Sequence, residues 1–346
     1  MKSDIIRQKS LSLFEEYATT IGESPLTRVL SATYLFDFLD RLRAAHFPDN
    51  WFDWLEGELR RLSSVFEQMP KYYEISAIGF PGGKDNGGEA IEVKTGEVYF
   101  NLWKHFKSDE YYLQALTLLA ERLEKNNISL KGVKTALDDG CGAGRYTMAL
   151  KKLGCEHIEG IDISGNSIEL AEKMNPFNLK DVSFQQGSVL DLPFDDGHFD
   201  FVFSNGVLHH TSSTKQGLRE IFRVLRRGGR CWLYLYGGKE SFFWDLVDFC
   251  RKLLSAVPQS YTQRVMEVMG YPPGRIFHRT DFFYVPINRR YFQEELEKLL
   301  IEIGFGQFTR LKRGAVHDWD EIIYNNPSID PYIYGEGEMR YLICKD

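Results

Sequence analysis

The sequence predicts an α/β protein built on an open, mostly parallel sheet with helices on both faces. Three observations carry this. Short apolar runs alternate with helical segments from Val133 to about residue 236. A glycine-rich turn, GCGAG at 140–144, follows the first apolar run and opens the next helix. An acidic residue, Asp162, ends the second run, 22 residues after Gly140. At about that spacing a carboxylate commonly meets ribose hydroxyls in such sheets.

The elements follow in order. Residues from about 10 to 70 carry apolar side chains at three- and four-residue spacing, as in LFDFLDRL and WFDWLEGELRRLSSVFEQM, and predict helices. FPGGKDNGGE, Phe80 to Glu89, is a connector by composition. Its Gly83-Lys84 lacks the other residues of a P-loop, since Ile78 and Asp85 stand where Gly and Ser or Thr are needed. VYFNLWKHF and YYLQALTLLAERLEKN predict further helices. VKTALD is a strand, RYTMALKKLG a helix, IEGIDIS a strand, and SIELAEKMN a helix capped by Ser164 or Asn166. VSFQQ, FDFVFSN and RCWLYLYG are strands, and KQGLREIFRVLRRGG is a helix with cations in its last turn. YFQEELEKLLIEIGF is a helix closed by Gly304, followed by strands QFTRLKR and EMRYLICKD. Two insertions interrupt this pattern, at 238–290 and 314–337. The domain reading is a mainly helical extension over 1–95 and an α/β domain over 96–346.

Composition narrows the function. A net charge of −7 argues against a nucleic-acid partner, which normally meets a basic footprint. Five scattered cysteines and an N-terminus without an apolar core predict a reduced, cytoplasmic protein. No apolar run approaches the length of a membrane span.

The glycine turn carries an unusual charge. Asp138 and Asp139 stand directly before it, and would repel a pyrophosphate. Arg145 also occupies the place of the third glycine in the dinucleotide fingerprint. Glycines let backbone approach the ligand, and the carboxylates favour a cationic one. A ligand with a ribose and a positive charge is S-adenosylmethionine.

LDDGCGAGRYT, GIDIS, GSVLDLPFDDGHFDFVFSNGVLHH and LREIFRVLRRGGR, in that order, closely resemble the successive motifs of class I S-adenosylmethionine-dependent methyltransferases, in their small-molecule, methyltransferase-11-like form. The resemblance covers about residues 130 to 236. It implies a Rossmann-like seven-stranded sheet whose last strand is antiparallel. It also implies that Asp138, Gly140, Gly142 and Gly144 line the methionine part of the cofactor, that Asp162 binds the ribose, and that Ile163 packs on the adenine. Ser188 and Val189 stand where the family often has Asp-Ala. Ser188 is shorter and uncharged, which leaves Gln186 or backbone to meet the adenine amine. Asn205 ends the fourth strand, close to where the methyl group is passed.

Methyl transfer from a sulfonium is an in-line displacement, and a base is needed only when the acceptor carries a proton that must leave. His210 is the candidate base and His209 a candidate acceptor contact, both just past the fourth strand. The insertions carry Phe242, Phe243, Trp244, Tyr271, Phe282, Phe283, Tyr284, Trp319, Tyr324, Tyr332 and Tyr334. As a roof they would suit an aromatic or partly apolar small molecule, with Tyr284 and Tyr99 as candidate contacts; as a core they would only fill the insertions. The His and Asp residues there have no metal-ligand spacing, so no metal is expected. The remaining alternatives are a tRNA or protein methyltransferase and a non-catalytic cofactor-binding partner. Residues 1–95 would cover the acceptor or mediate a homodimer.

Overall fold

The computed structural model describes residues 2–72, 93, 94, 96, 98, 100, 108–173 and 179–346. Tyr99, Trp103 and the connector at 80–89 lie outside them. The chain divides into two units.

The sheet unit comprises the described residues up to 239 that follow 92, together with 285–327 and 336–346. Helix α4 (Ser108–Lys125) precedes β1 (Thr135–Asp139), α5 (Arg145–Lys152), β2 (His157–Asp162), α6 (Gly165–Lys173), β3 (Val182–Gln186) and β4 (Phe199–Asn205). A single 3₁₀ turn, Leu208–His210, leads to α7 (Thr214–Val224) and β5 (Leu225–Leu235). After the first insertion come α11 (Gln293–Ile303), β6 (Gln307–Arg310), α12 (Trp319–Asn325) and β7 (Met339–Cys344). The strand order is β3-β2-β1-β4-β5-β7-β6, and β7 runs antiparallel to both neighbours. This is the sheet the motif order implied.

Register explains why the strands read as continuous apolar runs. Leu137, Val202 and Cys231 are aligned across β1, β4 and β5 and face one side. They pack with Leu218, Ile221 and Val224 of α7 and Leu296 and Leu300 of α11. Ala136 and Phe201 face the other side and pack with Leu119, Leu123, Ala149 and Leu150. A parallel sheet buried on both faces needs apolar residues at both parities. Each fully buried leucine here contributes roughly 1.5–3 kcal/mol. Helix α7 starts at Ser213, whose hydroxyl accepts the Gln216 N–H at 3.2 Å, so a donor that the helix itself leaves unpaired is satisfied.

The first part of the second insertion is tied into this unit by charge. Asp318 accepts from Arg122 Nε at 2.8 Å and Nη2 at 2.7 Å, a bidentate pair, and meets Arg340 Nη2 at 3.3 Å. Burial alone would raise its pKa, but Arg340 and Arg122 outweigh burial and hold it below the usual carboxylate range. Lys125 and Arg313 both hold Glu321, at 2.9 and 3.0 Å.

The helical unit comprises 2–72, 240–284 and 328–335. Its helices are α1 (Lys2–Ile21), α2 (Pro25–Ala44), α3 (Trp51–Tyr72), α8 (Phe242–Leu254), α9 (Gln259–Val268), α10 (Pro273–Tyr284) and α13 (Pro331–Tyr334). Most of the first insertion and the end of the second thus pack with the N-terminal helices. The insertion aromatics fill this unit's interior: Phe242, Phe243, Trp244, Phe283, Tyr332 and Tyr334 are all buried. Phe14 stacks on Phe249 at 4.8 Å, Trp51 meets Phe242 at 4.8 Å, and Phe36 meets Phe283 edge-on at 5.0 Å. These six rings are core, each adding a large buried apolar area to the packing between helices. Tyr332 donates to Asp245 at 2.6 Å, and Arg7 Nε donates to the same carboxylate at 3.1 Å.

Candidate cofactor and acceptor site

The candidate site lies at the carboxyl ends of β1, β2, β4 and β5, where open α/β sheets bind ligands. The turn after β1 begins with Gly140 and Cys141, whose N–H groups both donate to the Ile161 carbonyl at 2.9 Å. Gly140 has φ +79°, and a Cβ there would sit 2.5 Å from the Val207 side chain. Any other residue would be both strained and in collision. Gly144, at the N-cap of α5, also has φ +79°, and a Cβ would meet the Phe184 ring at 2.8 Å.

Asp162 joins two of these loops. Its Oδ2 accepts from Gly142 N and its Oδ1 from Ser164 N, both at 2.9 Å. The carboxylate therefore fixes the glycine turn as well as the start of α6. Asp138 lies on the α5 face of the sheet and accepts from the Thr147 hydroxyl at 2.5 Å. Burial raises its pKa, and with Asp162 nearby it reaches about 7 against the pull of Thr147. Asp139 points to the opposite face and is fully buried. Burial, then the neighbouring carboxyls of Asp138, Asp162 and Glu220, push it to about 8, with the Ser204 hydroxyl opposing. Among the described residues neither of its oxygens has a partner in hydrogen-bonding geometry. Burial also raises Asp162, against its two backbone donors.

The remaining predicted residues fall around this turn. Ile163 follows Asp162 at the end of β2, and its carbonyl accepts from Gln186 Nε2 at 3.0 Å. The Gln186 amide is thus engaged by backbone. Ser188 accepts the Leu190 N–H at 3.1 Å, and Val189 is buried in the α7-side core. Asn205 accepts from Trp232 Nε1 at 3.1 Å. Tyr284 sits in the helical unit, its hydroxyl 2.5 Å from that of Thr262. His209 and His210 are both buried in the 3₁₀ turn after β4, their rings edge-on at 4.1 Å. His209 stacks on Tyr236 at 3.8 Å. Among the described residues no three His, Cys, Asp or Glu side chains converge as metal ligands, and no helix is long and apolar enough to cross a membrane.

Sequence reasoning missed the segment that supports the histidines. Arg289 N donates to the His209 carbonyl at 3.0 Å, and Arg289 Nη2 donates to the Ser212 carbonyl at 2.6 Å. Tyr291 donates to Thr214 at 2.8 Å. NRRY, 288–291, carries no pattern that announces this role.

These residues suit S-adenosylmethionine. Asp138 and Asp162 are buried carboxyls with raised pKa values beside the glycine turn, and a nearby cation would favour the charged form of each. When bound, the cofactor supplies a methyl group on a sulfonium; Asp138, Asp162 and the turn glycines would hold it.

Comparison with known proteins agrees. A family model described as a methyltransferase domain matches residues 137–233. The chain is 30% identical over 141 residues to the O-methyltransferase rstn1 of Aspergillus nomiae, across 40% of this chain and 62% of that protein. It is 28% identical over 228 residues to the O-methyltransferase resE of Aspergillus sclerotiorum, across 64% of this chain and 74% of that one. It is 34% identical over 191 residues to a demethylmenaquinone methyltransferase of Staphylococcus aureus, across 54% of this chain and 73% of that one. The first of these matches spans less than two thirds of its relative's own length. With this motif order, this sheet and these relatives, the chain belongs to the class I S-adenosylmethionine-dependent methyltransferases.

Proposed function

We propose that the chain transfers the methyl group of S-adenosylmethionine to a small, aromatic or partly apolar acceptor by in-line displacement. The observation that carries this is the juxtaposition, at one end of the sheet, of a carboxyl-lined glycine turn and a pair of buried histidines. Asp162 and Asp138 bind and orient the cofactor. Rigid backbone at Gly140 and Gly206 positions the ends of β1 and β4, Gly206 N donating to the Tyr234 carbonyl at 3.0 Å. His210 takes the acceptor's proton. Tyr234 and Tyr236, packed around His209 at 6.2 and 3.8 Å, supply aromatic walls. Relatives named as O-methyltransferases and demethylmenaquinone methyltransferases support a small-molecule acceptor.

The test has two stages. Calorimetry measures S-adenosylmethionine binding to the full chain. Formation of S-adenosylhomocysteine is then followed with a metabolite extract, with tRNA and with a protein extract. Turnover on the metabolite extract supports the proposal. Turnover confined to tRNA or protein moves the acceptor to a macromolecule. Binding without turnover on any of them makes the chain a cofactor-binding partner. Absence of binding removes the proposal.

A further inference from the structure

We infer that Tyr112, on the helix that leads into the sheet, is a positioning residue for S-adenosylmethionine: its hydroxyl holds the Ala143 carbonyl and so sets the shape in which the glycine turn meets the cofactor. The inference rests on the reading of that turn as the cofactor site. It goes beyond that reading by giving α4, which carries none of the motifs, a part in cofactor affinity.

The spacing on α4 delivers this hydroxyl. Tyr112, Ala115, Leu119 and Leu123 recur at three- and four-residue intervals and are all buried. Leu119 and Leu123 pack in one core with Ala149 and Leu150 of α5. Near the start of the same helix, the Tyr112 hydroxyl donates to the Ala143 carbonyl at 2.6 Å, in a buried bond. Burial first, and then Cys141, raise the phenol above its ordinary range, with Arg145 opposing, so the hydroxyl keeps its proton and serves as the donor. Towards the end of α4, Arg122 Nη1 donates to the Tyr146 hydroxyl at 3.2 Å. The helix therefore grips the chain on both sides of Gly144 and Arg145.

The Ala143 carbonyl takes its donor from outside α5. The ladder of that helix begins one residue later, where the Gly144 carbonyl accepts the Met148 N–H at 3.1 Å. The Thr147 N–H, which a longer helix would turn to Ala143, goes to the Asp138 carboxyl instead. The other end of the 143–144 peptide is held as well, Gly144 N donating to the Cys141 carbonyl at 2.9 Å. Gly144, at φ +79°, is free to let this peptide rotate, which would exchange the places of its oxygen and its N–H. Rotation would break both bonds and leave the buried phenol without this acceptor, so Tyr112 selects one orientation. A bare turn binds through its backbone, and the orientation of its peptides decides which polar groups meet a ligand. Tyr112 thus fixes a choice that the glycine leaves open.

The test uses the full chain, calorimetry with S-adenosylmethionine and S-adenosylhomocysteine, thermal unfolding and amide hydrogen exchange. Tyr112→Phe keeps the ring and removes the hydroxyl. It is expected to weaken binding of both ligands about tenfold and to speed exchange at the Gly144 amide. Leu123→Ala disturbs the same helix face away from the turn; it is expected to lower the unfolding midpoint while changing affinity by less than about twofold. Unchanged affinity in Tyr112→Phe, or equal losses in the two variants, would overturn the inference. The unaltered chain decides if Tyr112→Phe does not fold: its Tyr112 hydroxyl proton should exchange slowly by NMR in mixed light and heavy water, and a rapidly exchanging hydroxyl overturns the inference. An unaltered chain that binds neither ligand overturns the cofactor reading and this inference with it, whereas normal binding that Tyr112→Phe leaves untouched overturns the inference alone.

Discussion

The Asp162 carboxylate accepts the Gly142 N–H at 2.9 Å, and so ties the carboxyl end of β2 to the glycine turn after β1. Its other oxygen holds Ser164 N. One side chain therefore sets the shape of the turn and, in the proposed function, would offer its remaining lone pairs to the cofactor. Asp139, two residues before Cys141, does neither.

This difference predicts unequal mutants. Asp162→Ala is expected to weaken S-adenosylmethionine binding by about ten- to a hundredfold, the loss of charge-assisted hydrogen bonds worth roughly 1.5–3 kcal/mol. Asp139→Asn is expected to change affinity by less than about threefold. Calorimetry on both variants decides. Equal losses would contradict the placement of the ribose at Asp162.

Binding of the cofactor is expected to release a proton near neutrality. Asp138 titrates at about 7 in the free protein because burial disfavours its charged form. A cation beside it favours ionisation, so affinity rises as the pH rises through about 7. Calorimetry in buffers of different ionisation enthalpy reads the proton directly. Affinity that is flat from about pH 6 to 8 would remove Asp138 from the cofactor's charged end.

Asp139 makes stability fall with rising pH. Its pKa is raised from 3.8 in a solvated chain to about 8 in the fold, so between those values the folded state holds a proton that the unfolded state has lost. The slope from one such group is about 1.4 kcal/mol per pH unit in that window. Asp139→Asn removes the ionisable group, and should flatten the decline between about pH 5 and 8 in urea unfolding. A slope unchanged by the substitution would show that Asp139 is not buried as a neutral acid.

The Arg122–Asp318–Arg340 cluster is expected to be structural. Asp318→Asn leaves the buried Arg122 guanidinium without its direct counter-charge and Arg340 with Glu338 alone, and should destabilise the fold by about 3–5 kcal/mol. Arg122→Met combined with Asp318→Asn should lose less than the sum of the two single changes, measured by a double-mutant cycle. Additive losses would mean that the two side chains act independently.

Much of the sheet unit was legible in the sequence, and for local reasons. The apolar runs of β1, β2, β4 and β5 match a sheet buried on both faces, and the helices between them keep a helical period. The glycine turn could be read because positive φ at Gly140 and Gly144 restricts the residue type. Asp162 could be read from its distance to that turn. The insertion aromatics could not be sorted between roof and core, since periodicity within 238–290 says only that the segment is helical. Their burial depends on α1, α2 and α3, which lie far away in the chain.

By itself the sequence determined the succession of strands and helices and the glycine turn, because each is set by backbone conformation or spacing within a few tens of residues. The tertiary structure alone decided the rest. Arg122 finds Asp318 across 196 positions, and His210 finds the Ile287 carbonyl across 77. Asp138 and Asp139 are adjacent in sequence, yet strand alternation sends one to Thr147 and the other into the opposite core. Charge state, tautomer and partner are properties of the surroundings of a side chain, and those surroundings exist only once remote segments have packed.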